Sequence, residues 1–550
     1  MKKTFLFISV LLTLSICAST GVCQTHWIKT YGGSSSDYAY SIQQTVDGGY
    51  IVAGKTDSCG AGGYDIWVLK LESNGIIQWE KTYGGSSYER GLFIQQTSDG
   101  GYIVGGRTQS YGAGSNDYFV LKLDSNGIVE WEKTYGGSSS CAARSIQQTV
   151  DGGYIVAGFT DSYGAGGYDA WVLKLDSNGI IEWEKTYGGS SYDESIAVQQ
   201  TVDGGYIVAG DTVSYGAGGP DAWVLKLDSN GIVEWEKTYG GSSEDIAYAI
   251  QQTGDGGYIV AGLTDSYGAG GYDDWVLKLD SNGIVEWEKT YGGSGSCIAR
   301  SIQQTGDGGY IVAGLTRSYG AGGSDGWVLK LDSNGIVQWE KTYGGSSDDY
   351  AYSIQQTVDG GYIVAGLTES YGAGGYDAWV LKLGSSGDIN DCYIGISSAT
   401  VTSNGVTGVN SSATVITTSA SVNNSSVTVT DTITETETVC EDYTLIELAS
   451  FTATPGNGEV VLEWITAGEI DNAGFNLYRA EDDGEYLKIN AALIPAEGTA
   501  TEGVMYLFVD EDVKNRKTYY YKLEDIDLNG TSTMHGPVSA LPRLIYGIIR

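Results

Sequence analysis

The sequence predicts an all-β protein, a seven-bladed β-propeller of four-stranded blades followed by a β-sandwich, and three observations carry the propeller. The tryptophans Trp27, Trp79, Trp131, Trp183, Trp235, Trp287 and Trp339 recur every 52 residues. Each interval repeats one phrase: W-E-K-T-Y-G-G-S-S, S-I-Q-Q-T, D-G-G-Y-I-V-A-G, W-V-L-K-L-D-S-N-G. Its apolar residues fall in short runs rich in Ile, Val, Tyr and Trp, bounded by Gly, Asp, Asn or Ser, the pattern of strands and turns. A unit of this size cannot bury its own faces, so a fixed period near 50 in a strand-rich chain means stacking into a propeller or solenoid.

In the fourth unit the runs place strand a at 195–201, b at 205–212, c at 222–227 and d at 231–239. Strands a and b meet at Val202-Asp203-Gly204-Gly205 and c and d at Asp228-Ser229-Asn230-Gly231, short hairpins whose Asp, Asn and Gly accept positive φ. The b–c and d–a connections, 214–221 and 240–245, are longer, and up-and-down connectivity puts both on one end of every blade. One face is plain and the other elaborated. The array opens with a lone strand d at 26–32 and stops after strand c at 378–383, so pairing these ends closes a ring and removes both bare edges.

Gly344-Gly345-Ser346-Ser347-Asp348-Asp349, Asp359-Gly360-Gly361-Tyr362-Ile363-Val364-Ala365-Gly366 and Asp377-Ala378-Trp379-Val380-Leu381-Lys382-Leu383 resemble the seven-bladed β-propeller repeat (SBBP) of secreted bacterial proteins. The order of a Gly-ended strand, Val-Leu-Lys-Leu-Asp and a Trp is similar to kelch. These resemblances imply an extracellular binding or structural role and bring no catalytic motif.

The propeller is expected over 24–390. Before it, Lys2, Lys3, the apolar stretch 5–16 and small residues near Ala18 read as a signal peptide over 1–23. Lipid attachment at Cys17 is disfavoured by Ile16 before it. After the propeller, a Ser/Thr-rich linker is expected over 391–444, although the alternation at 427–434 also suits a strand. A second domain at 445–542 shows Val460-Val461-Leu462-Glu463-Trp464, Tyr478-Arg479 and Tyr519-Tyr520-Tyr521 on strand-like runs, and resembles the fibronectin type III module, a β-sandwich. A short tail, 543–550, completes the chain.

The 68 acidic residues against 30 Lys and Arg give a net charge of −38, which argues against nucleic acid or an anionic membrane as partner and favours a monomer. No stretch outside the signal is long and apolar enough to span a bilayer. Cys392 and Cys440 flank the linker and form one possible disulfide; Cys59, Cys141 and Cys297 sit in separate units as expected free thiols.

Enzyme chemistry has little footing. The two histidines, His26 and His535, leave no His-based triad, zinc site or acid/base pair. Most acids recur in register. Asp47, Asp99, Asp151, Asp203, Asp255, Asp307 and Asp359 precede Gly-Gly in the a–b turn, where Asp serves the backbone. Asp65, Asp117, Asp169, Asp221, Asp273, Asp325 and Asp377 end the b–c loop, either to hold loop amides or, with nearby carbonyls, to take Ca²⁺, the one cofactor the sequence suggests.

Specificity is expected where the repeats disagree. The disagreements fall on the elaborated face: Arg90, Arg144, Glu194, Asp245, Arg300 and Asp349 near the d–a loops, and Lys55, Arg107, Phe159, Asp211, Leu263 and Leu315 after strand b. Tyr111, Tyr163, Tyr215, Tyr267, Tyr319 and Tyr371 form a near-ring there, suited either to contact a glycan or protein or to pack the loops onto the blades. Strand a lines the channel, where pairs such as Gln43-Gln44 are expected to form an amide ladder. The chain thus reads as a secreted or cell-surface, non-enzymatic binding protein for a protein or glycan. The alternative is a carbohydrate-active hydrolase or lyase using carboxylates on the same face, which needs one asymmetric pocket with a pair of non-recurring acids.

Overall fold

The computed structural model describes residues 26–389, seven short strands between 394 and 441, and residues 446–469, 472–481, 484–496, 504–527 and 532–543. The signal segment with Cys17, the Cys392 half of the possible disulfide, and the final residues 544–550 lie outside the described residues. Among the described residues every regular element is a strand, and no helix is long and apolar enough to cross a membrane.

Seven four-stranded antiparallel sheets follow the repeat. In the fourth blade, strands a to d are Asp193–Gln200, Tyr206–Thr212, Asp221–Leu227 and Val233–Tyr239, within two residues of the expected bounds. The a–b turn shows why its residues repeat. Gly204 sits at φ +85°, and a Cβ on Gly205 would lie 2.2 Å from the Leu227 carbonyl. Asp203 accepts the Gly205 N–H at 3.0 Å and pairs with Lys226 Nζ at 2.9 Å, so it also neutralises a lysine buried in strand c. Burial opposes ionisation of Asp203, but the Thr201 hydroxyl and Lys226 outweigh it and hold the carboxyl at about 2.

The other repeated residues join blade to blade. Trp183 in strand d of the third blade lies against the next blade's c–d turn: a Cβ on Gly231 would come within 2.8 Å of its ring. Its indole N–H donates to Ser229 O at 3.2 Å, and the Tyr187 hydroxyl donates to Gly231 O at 2.7 Å. Each unit therefore supplies both a clamp for the next blade and the turn that the previous blade clamps. Between sheets, Ile155, Ala157 and Val172 of the third blade pack on Tyr206, Val208, Trp223 and Leu225 of the fourth, all buried.

The ends meet as expected. Strand Trp27–Gly32 pairs antiparallel with Asp377–Leu383, Trp27 opposite Lys382 and Tyr31 opposite Ala378. Trp27 then clamps the first blade as its sister tryptophans do, donating to Ser73 O at 3.2 Å, with the Tyr31 hydroxyl on Gly75 O at 2.7 Å.

The segment expected to be a linker is instead part of the ring. Its strands Ile394–Gly395, Thr400–Thr402, Val409–Asn410, Thr414–Ile416, Ser421–Asn423, Thr428–Asp431 and Glu435–Glu441 each add a fifth, outermost strand to one sheet. Gly395, Thr402, Val409, Ile416, Asn423, Thr430 and Glu437 stand opposite Thr342, Thr290, Thr238, Thr186, Thr134, Thr82 and Thr30. The strap thus advances seven residues for every blade it passes and runs backwards around the ring, from the sixth blade to the closing strand. Seven extended residues reach about 23–25 Å. The strap covers the N–H and C=O groups that each strand d would leave as an open edge.

A second compact unit follows. Ile446–Pro455, Val460–Glu469 and Met505–Asp510 form one antiparallel sheet, and Asn472–Glu481, Tyr519–Asp527, Ser532–Ala540 and two short strands another. Their buried side chains form a single cluster around Trp464, which stacks on Tyr506 at 5.2 Å. Arg479 pairs with Asp510 at 2.8 Å, and the Tyr521 hydroxyl donates to the same carboxylate at 2.9 Å.

Candidate functional site

One backbone irregularity, repeated seven times, builds the candidate site. In every blade the a–b ladder skips a residue of strand a, leaving Tyr40, Leu92, Arg144, Ile196, Tyr248, Arg300 and Tyr352 as the extra residue of a bulge. A bulge bends its strand and re-aims the side chain. The glycine ending D-G-G-Y-I-V-A-G makes room for it: a Cβ on Gly54 would lie 1.6 Å from Tyr38 O, and one on Gly210 1.9 Å from Glu194 O. All seven bulge residues line the mouths of the central channel.

At the long-loop end the channel opens into an asymmetric cavity of about 640 Å³. Its wall holds Tyr40, Tyr192, Tyr248 and Tyr352, with Arg90, Arg144 and Arg300, and the acids Glu194, Asp211 and Glu244. The Arg90 guanidinium lies over Tyr40 at 4.1 Å and that of Arg300 over Tyr248 at 4.0 Å. Arg144 pairs with Glu194, which also accepts the Tyr192 hydroxyl. Beside the cavity, Lys55 is enclosed by Tyr38 and Tyr64 at 4.2 and 3.6 Å and reaches Tyr88 OH at 3.1 Å.

Two cross-strand pairs here work against stability. In the fifth and sixth blades the residues facing each other beside the bulge are Ile246 with Leu263 and Ile298 with Leu315. In the second blade they are Arg90 with Arg107, and in the fourth Glu194 with Asp211. Like charges directly opposite are destabilising. Asp211 relieves the conflict by keeping its proton: burial first, then Glu194, pushes its carboxyl up to about 8 against the opposing pull of Arg144. Its titration is governed by Glu194, Arg144, Glu244 and Asp193, which all act on it.

The other expected site residues do different work. The hydroxyls of Tyr111, Tyr163, Tyr215, Tyr267, Tyr319 and Tyr371 donate to the carbonyls of Gly84, Gly136, Gly188, Gly240, Gly292 and Gly344 at 2.8–3.3 Å, so this ring packs the loops down. Asp65, Asp117, Asp169, Asp221 and Asp273 accept the N–H of Ala61, Ala113, Ala165, Ala217 and Ala269; Asp325 accepts from Ala321 and Asp377 from Gly374. Among the described residues no group of three or more His, Cys, Asp or Glu is arranged to hold a metal.

These aspartates also meet the first residue of the next strand a. A Cβ on Gly240 would lie 2.0 Å from Asp221 Oδ1 and 2.7 Å from Asp245 Oδ2, and Gly32, Gly84, Gly188 and Gly344 stand between equivalent pairs. Asp245 and Asp349, expected on the variable face, therefore turn into blade junctions. In two junctions the place is taken by Cys141 and Cys297, buried thiols hydrogen-bonded to Thr160 and Thr316; neither they nor Cys59, whose sulfur lies 3.5 Å from the Thr56 hydroxyl, is in a disulfide. The amide ladder is present as well: Gln44, Gln96, Gln148, Gln200, Gln252, Gln304 and Gln356 each donate a backbone N–H to the side-chain oxygen of a glutamine in the neighbouring blade, at 2.6–2.7 Å.

Asp274 went unnoticed in the sequence because it follows the recurring Asp273. It is fully buried, neither carboxyl oxygen has a hydrogen-bond partner, and burial raises it far above the usual carboxylate range. The third, fourth and seventh blades carry Ala170, Ala222 and Ala378 in its register. Asp274→Ala is expected to stabilise the protein by about 1–3 kcal/mol, the cost of an unsatisfied buried polar group. Urea melts of the two proteins check it.

No known family and no curated relative matches the chain. Among solved structures that resemble it is the crystal structure of a β-1,2-glucanase from Parabacteroides distasonis. That likeness has 10% identity and a TM-score of 0.13, covers 43% of this chain and 33% of the glucanase, and at that level carries no argument.

Proposed function

We propose that this is a secreted or cell-surface recognition protein whose propeller binds a glycan in the cavity at the long-loop mouth of the channel, and whose chain continues into a fibronectin-like module. One observation carries the proposal. In a ring whose repeats are otherwise nearly identical, the bulge positions and their flanking pairs vary, and two blades set two bases or two acids opposite each other, Arg90 with Arg107 and Glu194 with Asp211, where sister blades use Ile and Leu. A fold optimised for stability alone has no use for that departure. The cavity size suits a small concave ligand site better than a broad protein interface, and tyrosines offer sugars an apolar face with a polar tip. A glycan array probed with the full chain, with and without Ca²⁺, tests the proposal. Binding that falls at least tenfold in Tyr248→Ala is expected, and an array without hits overturns it.

A second reading follows from Glu194 and Asp211. They are a pair of non-recurring acids of the kind a glycoside hydrolase needs, Asp211 with its carboxyl pushed up to about 8 and Glu194 paired with Arg144. Release of reducing ends from a bound glycan, abolished in Asp211→Asn, would establish hydrolysis; a ligand recovered intact leaves recognition alone.

A further inference from the structure

Resting on the glycan reading above, we infer that the cavity takes an anionic saccharide and that Arg90 and Arg300 hold its carboxylate or sulfate group. The chain has 68 acidic residues, and the propeller only five arginines, Arg90, Arg107, Arg144, Arg300 and Arg317. Three of the five line this one cavity. Arg144 is matched by Glu194. Among the described residues neither Arg90 nor Arg300 has a carboxylate at ion-pair distance, and the Nε of each is buried without an acceptor.

A half-buried cation with no carboxylate at ion-pair distance and a buried N–H without an acceptor is costly, and here carboxylates abound elsewhere on the molecule. The two guanidiniums lie over the rings of Tyr40 and Tyr248, and both act on the phenol of Tyr352. A ring beneath it restrains each planar fork, and a restrained fork matches the paired oxygens of a carboxylate or sulfate. The net charge of −38 does not forbid an anion there. In physiological salt the screening length is about 8 Å, so the distant acidic surface acts weakly on a group seated between guanidiniums.

Calorimetry on the full chain tests the inference with five probes: oligogalacturonate, its methyl ester, dextran oligosaccharides with and without sulfate, and polyglutamate. Binding of an acidic saccharide at least tenfold tighter than its uncharged counterpart is expected, and the two acidic arms separate carboxylate from sulfate. Arg90→Ile and Arg300→Ile should each weaken binding tenfold or more with an unchanged melt, because Ile246, Ile298 and Ile196 already occupy those registers. If either variant melts early, Arg90→Tyr and Arg300→Tyr replace them, since Tyr38 and Tyr248 stand in the same registers of the first and fifth blades. Equal binding of charged and uncharged saccharides overturns the inference and leaves the glycan reading standing. No saccharide binding overturns both, polyglutamate binding as tightly as the saccharides rejects the saccharide class, and undiminished binding when Arg90→Ile and Arg300→Ile are combined overturns the assignment of the anion to these two arginines.

Discussion

Deleting residues 26–32 lowers the melting temperature of the entire ring, by about 10 °C or more, and leaves no residual transition at the old temperature. The strand contributes Trp27 and Tyr31, both with no exposed surface, to the junction between the seventh and first blades. Truncating one buried tryptophan costs about 3–5 kcal/mol, so Trp27→Ala alone should account for much of the loss. Trp183 makes the same clamp far from the chain ends. In a closed ring no junction is terminal, so Trp183→Ala should also lower the single melt of the whole ring, by less than Trp27→Ala because Trp183 is only half-buried. Calorimetric scans of both variants decide this. An unchanged melt in Trp27→Ala would mean that the ring does not depend on its closing strand.

Stability should peak near pH 4–5 and decline toward pH 7. Asp65, Asp169, Asp221, Asp273 and Asp325 are raised to about 6, mainly by burial and, in four of them, by the carboxylate of the next blade. A carboxyl whose folded value exceeds its unfolded one favours the folded state while protonated, and that advantage disappears as pH rises from about 4 through 6. The turn aspartates act in the opposite sense. Asp47, Asp99, Asp151, Asp203, Asp255 and Asp307 lie at about 2, so their contribution is present above pH 4 and is lost below it.

Self-repulsion of a highly anionic chain adds to the decline at high pH, and one substitution separates the two causes. Asp221→Asn keeps an oxygen for the Ala217 N–H and presents an N–H₂ to Asp245. It should stabilise by about 1–2 kcal/mol at pH 7.5 and be neutral at pH 4.5. A stabilisation equal at both pH values, or none at either, rules out the junction carboxylates as the source.

The fold was legible because the repeat states it many times. Strand bounds, hairpins, the two unlike faces and the closing strand all follow from residues that recur in register, and the strands of the fourth blade fall where alternation and turn residues put them. The strap was not legible. Its strands are two to seven residues long and fall in a Ser/Thr-rich stretch whose alternation at 427–434 marks only one of them, Thr428–Asp431. Its seven-residue step has meaning only against Thr30, Thr82 and their sisters, which lie far away in the sequence.

The site was half visible. Arg90, Arg144, Glu194, Arg300 and Asp211 stood out as departures from the repeat, and the structure brings them to one cavity. Tyr40, Tyr248 and Tyr352 did not stand out, because tyrosine in a strand looks ordinary until the bulge that turns it toward the channel is known. The loop tyrosines had the opposite fate: their regular recurrence served packing, since identical residues at every blade answer a need that every blade shares.

The position of strand 27–32 has a consequence for biosynthesis. Made first, it waits about 350 residues for its partner at 378–382, on the order of tens of seconds at ribosomal speed. The strap that flanks it on the other side, Glu435–Glu441, comes later still. A nascent chain therefore carries a bare, tryptophan-bearing edge until the last blade and the strap have been made, and every premature stop before residue 441 releases a product with sticky margins that a proteolytic quality-control system can recognise.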